Sequence, residues 1–163
     1  AELEEISNAD KVIFPGQGEA ASAMNKLRSN GLDLLIPKLK QPVLGICLGM
    51  QLFCKKTEEG DTKCLGILPV EVVRFPNTVK VPQMGWNLVN HNENGLFKGI
   101  EQDCYMYLVH SYFVPITTST SARSVYAGIY SVAVEKDNFY GVQFHPEKSS
   151  NDGLCLLENF LNI

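Results

Sequence analysis

The chain has 163 residues, 45% of them apolar, and a formal net charge of −4, which suits one domain around one sizeable core and excludes any broad attraction to polyphosphate or an anionic membrane. No apolar run reaches the length of a bilayer span, and the acidic opening AELEEISNAD lacks the basic and apolar regions of a secretory signal. A soluble, cytoplasmic protein acting on a small molecule is expected, with no nucleic acid and no membrane among its partners.

DKVIF (10–14) reads as a short strand stopped by Pro15-Gly16. EAASAMNKLRSN (19–30) is rich in helix formers and predicts a helix capped at Gly31. A second apolar-periodic piece, LDLLIPKLK, leads into PVLGIC, which reads as a buried strand; strand, helix and strand in this order predict parallel α/β packing. A further helix begins near Leu48. Beyond it, LGILPVEVVRF, CYMYLVHSYFV and VYAGIYSVAVEKDNFYGVQFH are rich in β-branched and aromatic residues, with Gly, Asn and Asp between, so later strands should include antiparallel hairpins. TTSTSARS (117–124) is expected to be an exposed loop, and DGLCLLENFL closes the chain as a short helix. There is no internal repeat and no linker, so residues 1–163 are read as one domain.

Five cysteines (Cys47, Cys54, Cys64, Cys104, Cys155), odd in number and without Cys-x-x-Cys spacing, argue against a disulfide framework and against a zinc site. No metal is expected. One cysteine stands out. In PVLGICLGMQ (42–51), small residues two positions either side of Cys47 suit a sharp strand-to-helix turn, because a side chain at Gly45 or Gly49 would collide with neighbouring backbone. Such a turn exposes the sulfur at a helix N-terminus, where the dipole and free N–H groups favour thiolate. The same pattern also fits a buried cysteine ending a core strand.

YGVQFHPEKSS shifts the balance, because Pro146 between His145 and Glu147 sets the backbone so that an imidazole and a carboxylate can approach each other. Cys47, His145 and Glu147 together supply a nucleophile, its base and the group that orients the base.

LGICLGMQLF, PGQGEA and GVQFHPEKS, in this order, resemble the class I (triad) glutamine amidotransferases. Within that family VPQMGWN (81–87), VHSYFV (109–114) and the Lys-Ser after His-Pro-Glu are most similar to the glutaminases of imidazole glycerol phosphate synthase. The resemblance covers essentially the whole chain. It implies a flavodoxin-like, three-layer α/β fold with a mixed, mostly parallel central sheet and added antiparallel strands. Family members open with a further strand and helix before the stretch matching ADKVIFPG; that unit has no counterpart here, and the chain starts without methionine, as a trimmed or processed chain would.

The implied activity is hydrolysis of L-glutamine to glutamate and ammonia through a γ-glutamyl thioester on Cys47, with no cofactor. Oxyanion donors would come from Leu48 and from Gly16, Gln17 and Gly18, a segment whose residues alone favour a plain turn and also fit a phosphate loop. Gln51, Glu59, Ser111 and Tyr112 are implied to bind glutamine. Met84, Trp86, Asn87 and Lys148 are implied to face a partner, a TIM-barrel cyclase subunit docked as a heterodimer in histidine biosynthesis. On its residues alone, a lone tryptophan is more often a core residue. His110 reads as a hydrogen-bonded strand histidine or a site residue, and His91 as an exposed turn. No cyclase is fused after Ile163, so separate subunits are expected, as in bacteria and archaea.

Overall fold

The computed structural model describes residues 3–93 and 95–163. The acidic opening forms a short helix, α1 (Leu3–Asn8), followed by β1 (Val12–Gly16), α2 (Ala20–Ser29), α3 (Leu32–Leu35) and β2 (Val43–Cys47). A five-residue helix, α4 (Leu48–Leu52), leads into β3 (Cys54–Thr57), β4 (Thr62–Lys63) and β5 (Leu68–Arg74). The rest is β6 (Gln83–His91), β7 (Cys104–His110), β8 (Tyr112–Phe113), β9 (Thr120–Val125), β10 (Ile129–Lys136), β11 (Phe139–Val142) and α5 (Ser150–Leu161). None of the described helices is long and apolar enough to cross a membrane.

The main sheet runs β1-β2-β11-β10-β9-β6-β7, and a smaller one runs β4-β3-β5-β8. In the main sheet β2 pairs in parallel with β1 and β11, while the remaining pairings are antiparallel. The sheet is therefore mixed as expected, but its antiparallel share is larger than a mostly parallel sheet would have, because the β-branched second half pairs as successive hairpins.

Two apolar layers fill the two faces. Leu44, Ile46, Tyr140 and Val142 point into one, against Leu156 and Phe160 of α5; Val43 and Phe139 point into the other, with Met24 and Leu27 of α2 and Met50 of α4. Adjacent residues of β2 thus serve opposite layers, as strand alternation requires, and a strand covered on both sides reads as an unbroken apolar run.

Two expectations are corrected. β1 does not stop at Pro15-Gly16 but pairs through both, Pro15 with Ile46 and Gly16 with Cys47. Proline is tolerated there because β1 is the outermost described strand, where its missing N–H forfeits no ladder bond. The polar stretch 117–124 is not an exposed loop: Thr120–Val125 is a strand between β10 and β6, with Ser121, Ala122 and Ser124 buried. Its hydroxyls bond internally, Ser124 Oγ donating to the Leu88 carbonyl at 2.7 Å and Thr120 Oγ1 lying 2.7 Å from Ser131 Oγ. Pairing on both edges overrides its weak strand propensity.

One of the two tightest backbone approaches lies where β1 meets α4; the other is Gly153 of α5 against the Pro146 carbonyl. A Cβ built on Gly49 would sit 1.9 Å from the Phe14 carbonyl oxygen. Gly49→Ala is expected to destabilise the protein by about 2–3 kcal/mol or to prevent folding, measured by urea denaturation.

Candidate active site

β2 delivers Cys47 to a bend with φ 54° and ψ −110°, and α4 begins at the next residue. This φ is costly for a residue with a Cβ, and it is held by close packing on both sides. A Cβ on Gly45 would lie 2.6 Å from the Phe53 ring and 2.8 Å from the Gly49 carbonyl carbon, so the chain can fold back only because both positions are bare.

Cys47 opens onto a cleft of about 430 Å³. Gly16, Gln17, Gly18 and Leu48 line it, as do Gln51, Glu59, Ser111, Tyr112, His145 and Lys148. Glu147 stands behind His145, its Oε1 2.8 Å from Nδ1. An imidazole donating from Nδ1 to a carboxylate keeps Nε2 for the reacting groups. The His-Pro-Glu turn is anchored to β7: the His145 N–H donates to the Tyr107 carbonyl at 2.9 Å, and Ser149 Oγ donates to the His145 carbonyl while accepting the Tyr107 N–H at 3.0 Å.

The thiol donates to the Val109 carbonyl, 3.9 Å away, and accepts an N–H from the Gln143 side chain at 3.6 Å. Burial pushes its pKa up to about 11; the Leu48 N–H and the Gln143 amide pull it down, and the Glu147 and Glu59 carboxylates push it up. The helix-terminal N–H groups expected to favour thiolate do act, through Leu48, but desolvation outweighs them. In this state Cys47 is a protonated thiol at neutral pH.

Glu59 Oε2 accepts the Ala20 N–H at 2.8 Å, so this carboxylate caps α2 while facing the cleft. Gln51 donates to the Tyr112 carbonyl and to Gln143 Oε1, both at 2.9 Å. Met84 and Trp86 are 65% and 51% exposed on the outward side of β6, so the lone tryptophan is a surface residue. Asn87 points the other way, as strand alternation dictates, and donates to the Val125 carbonyl at 3.0 Å. Lys148 Nζ lies 6.0 Å from the centre of the Tyr107 ring, which packs edge-on against Trp86.

His110 is buried at the end of β7, its Nδ1 2.7 Å from the Tyr112 carbonyl and its Nε2 within 3.3 Å of both the Gln83 side chain and the Tyr130 hydroxyl. Burial lowers its pKa to about 4, so the ring is neutral and carries its proton on Nδ1. His91 is not in an exposed turn: it ends β6, is buried, and stacks on Phe97 at 4.5 Å. Gln143, fully buried between the apolar Val142 and Phe144, was not legible as a site residue; its one signal is polarity inside a buried run. Among the described residues no cluster of His, Cys, Asp or Glu is arranged to hold a metal.

A cysteine on a strand-to-helix bend, an imidazole backed by a carboxylate and a three-layer α/β scaffold define a class of cysteine-dependent amide hydrolases. The class-I glutamine amidotransferase model matches residues 1–163, and the chain belongs to that family of glutamine-hydrolysing enzymes. The imidazole glycerol phosphate synthase subunit HisH of Bacteroides thetaiotaomicron is 49% identical, with 100% of this chain and 85% of the relative aligned. The HisH subunit of Photorhabdus laumondii is 46% identical, with 97% and 83% aligned. A solved glutamine amidotransferase superposes with a TM-score of 0.73 at 18% identity, over 98% of this chain and 83% of that one. Another, from Thermotoga maritima, gives 0.66 at 21% identity, over 99% and 65%. These two share the fold.

Because His110 has a folded-state pKa below its ordinary 6.5, its contribution to stability is complete above pH 6.5 and is lost as pH falls towards about 4. The full span is worth about 3 kcal/mol. Urea midpoints are expected to fall steeply across this window, and less steeply in His110→Gln.

Proposed function

We propose that this chain is the glutaminase subunit of an imidazole glycerol phosphate synthase, working in the cytoplasm beside a separate cyclase subunit. The observation that carries its chemistry is Glu147 Oε1 at 2.8 Å from His145 Nδ1, in a cleft wall shared with the Cys47 thiol. The choice of partner enzyme rests on the 46–49% identity of HisH relatives along nearly the whole chain.

In the proposed reaction His145 takes the thiol proton and the sulfur attacks the side-chain amide carbon of L-glutamine. The resulting oxyanion is held by the Leu48 N–H and by a second backbone N–H from Gly16, Gln17 or Gly18. His145 then passes its proton to the amide nitrogen, the C–N bond breaks, and ammonia leaves a γ-glutamyl thioester. Water gives a proton to His145 and attacks the thioester carbon; the C–S bond breaks, glutamate departs and the thiol is restored. Glu147 steadies the imidazolium throughout. Glu59, Ser111 and backbone at Tyr112 are assigned to the α-amino and α-carboxylate groups, and Gln51, through its remaining carbonyl oxygen, to an N–H of the substrate.

Ammonia set free in water is protonated and loses the lone pair it needs, so it has to be passed on under cover. The exposed Met84 and Trp86, with Tyr107 and Lys148 beside them, form the face we assign to the cyclase; Trp is a frequent interface anchor. Asn87 acts behind that face, through β9. A thiol whose pKa is pushed up to about 11 is a weak nucleophile at rest, which fits a subunit that waits for its partner.

Glutamate release from glutamine is expected to be nearly undetectable for the chain alone and strongly stimulated by a cyclase subunit with its ligand. Cys47→Ala should abolish it, and Glu147→Gln should lower kcat by roughly 100-fold or more through the wrong imidazole tautomer. Brisk hydrolysis without a partner would assign the chain to another amidotransferase, and none under any condition would remove the glutaminase reading.

A further inference from the structure

Two side-chain amides lie in series between the glutamine pocket and the nucleophile, and their polarity is dictated by a backbone group. A peptide carbonyl can only accept, so the Gln51 atom 2.9 Å from the Tyr112 oxygen is the amide nitrogen. That nitrogen has a second hydrogen, and the Gln143 atom 2.9 Å from it must accept, which makes it Oε1. The other end of the Gln143 amide, 3.6 Å from Cys47 Sγ, is then the nitrogen and points a hydrogen at the sulfur. Gln143 is fully buried with both ends of its amide engaged, and Gln51, nearly as buried, spends both hydrogens on acceptors, so neither amide can turn over without setting two acceptors or two donors against each other.

We propose that Gln143 is a further catalytic residue, whose amide N–H stabilises the Cys47 thiolate and is locked in that orientation by Gln51. This rests on Cys47 being the nucleophile. The chemistry asks for such a group: the carboxylates of Glu147 and Glu59 both disfavour a negative sulfur, and burial disfavours it more. A neutral donor favours the thiolate without pairing with it as a cation would, so the sulfur stays free to attack and to leave. Gln51, having committed both hydrogens, can meet glutamine only as an acceptor. A shift of the Tyr112 backbone when substrate binds would re-aim Gln51, and through it the hydrogen on sulfur.

The test is the pH profile of Cys47 alkylation by iodoacetamide, read by mass spectrometry on the intact chain, which needs no glutaminase activity. Gln143→Met keeps length without a donor, and Gln143→Glu keeps the acceptor towards Gln51 while replacing the donor. In both, alkylation at a given pH below the Cys47 pKa is expected to fall on the order of tenfold or more, with the profile displaced upward by a unit or more. Gln51→Met, which leaves Gln143 in place but unlocked, should displace it in the same direction by less. With the cyclase present, kcat should fall in the Gln143 variants while KM changes little. An unchanged alkylation profile in folded Gln143→Met overturns the proposal. If the variants do not fold, the unaltered protein decides: the Gln143 side-chain NH₂ resonances should move as pH is raised through the Cys47 titration, and their staying still overturns it. A displaced profile in a chain that never hydrolyses glutamine would uphold the thiolate contact and remove only the glutaminase reading.

Discussion

Cys47 adopts φ 54° because the chain must reverse from β2 into α4 within one residue while the Phe14 carbonyl presses on Gly49 and the Phe53 ring on Gly45. A bend this tight fixes where the sulfur can be, at the end of a strand buried on both faces. Its parallel neighbours β1 and β11 supply two further parts of the cleft wall from their own ends: Gly16–Gly18 at the end of β1 and His145 shortly after β11. Parallel pairing brings equivalent ends of three strands to one edge of the sheet, which is where α/β proteins hold their ligands. The antiparallel hairpins have a different task. They carry Met84 and Trp86 outward on β6, and β7 anchors the turn that places His145 in the cleft wall.

Burial of Cys47 disfavours the charged sulfur that the proposed reaction needs. The site resolves this conflict with neutral groups. Amides, backbone N–H groups and a neutral His110 supply directed hydrogens without bringing a counter-charge that would need its own solvation. His110 and Gln51 share one acceptor, the Tyr112 carbonyl, so the wall that would hold substrate is tied both to the nucleophile and, through Tyr130 and Gln83, to the start of β6. Glu59 adds another tie, since the oxygen that caps α2 holds the residues just after Gly18. A ligand meeting Glu59 or the Tyr112 backbone would therefore act on the segments to which the proposed oxyanion donors belong.

Much of this was legible from residues alone. Gly45 and Gly49 announced the bend because close backbone approach leaves a local sign, a missing side chain at fixed spacing. His145, Pro146 and Glu147 could be read together because a carboxylate two residues from an imidazole meets it through local geometry. β2 showed as an unbroken apolar run. What failed to show were features created by distant neighbours. Thr120–Val125 has the composition of a loop and is a strand because β6 and β10 flank it. His91 sits in a polar context and is buried because Phe97 folds beneath it.

The sequence by itself determined the family and the sharp bend at Cys47, since each shows in short-range pattern. Only the tertiary structure decided that burial overrides the helix terminus in setting the thiol's pKa, that Asn87 turns away from Trp86's face, and that Gln143 reaches the sulfur. Desolvation and hydrogen-bond polarity belong to the assembled surroundings, and residues 92 to 96 positions apart in the chain, Gln51 with Gln143 and Gln143 with Cys47, have no common environment until the sheet has formed.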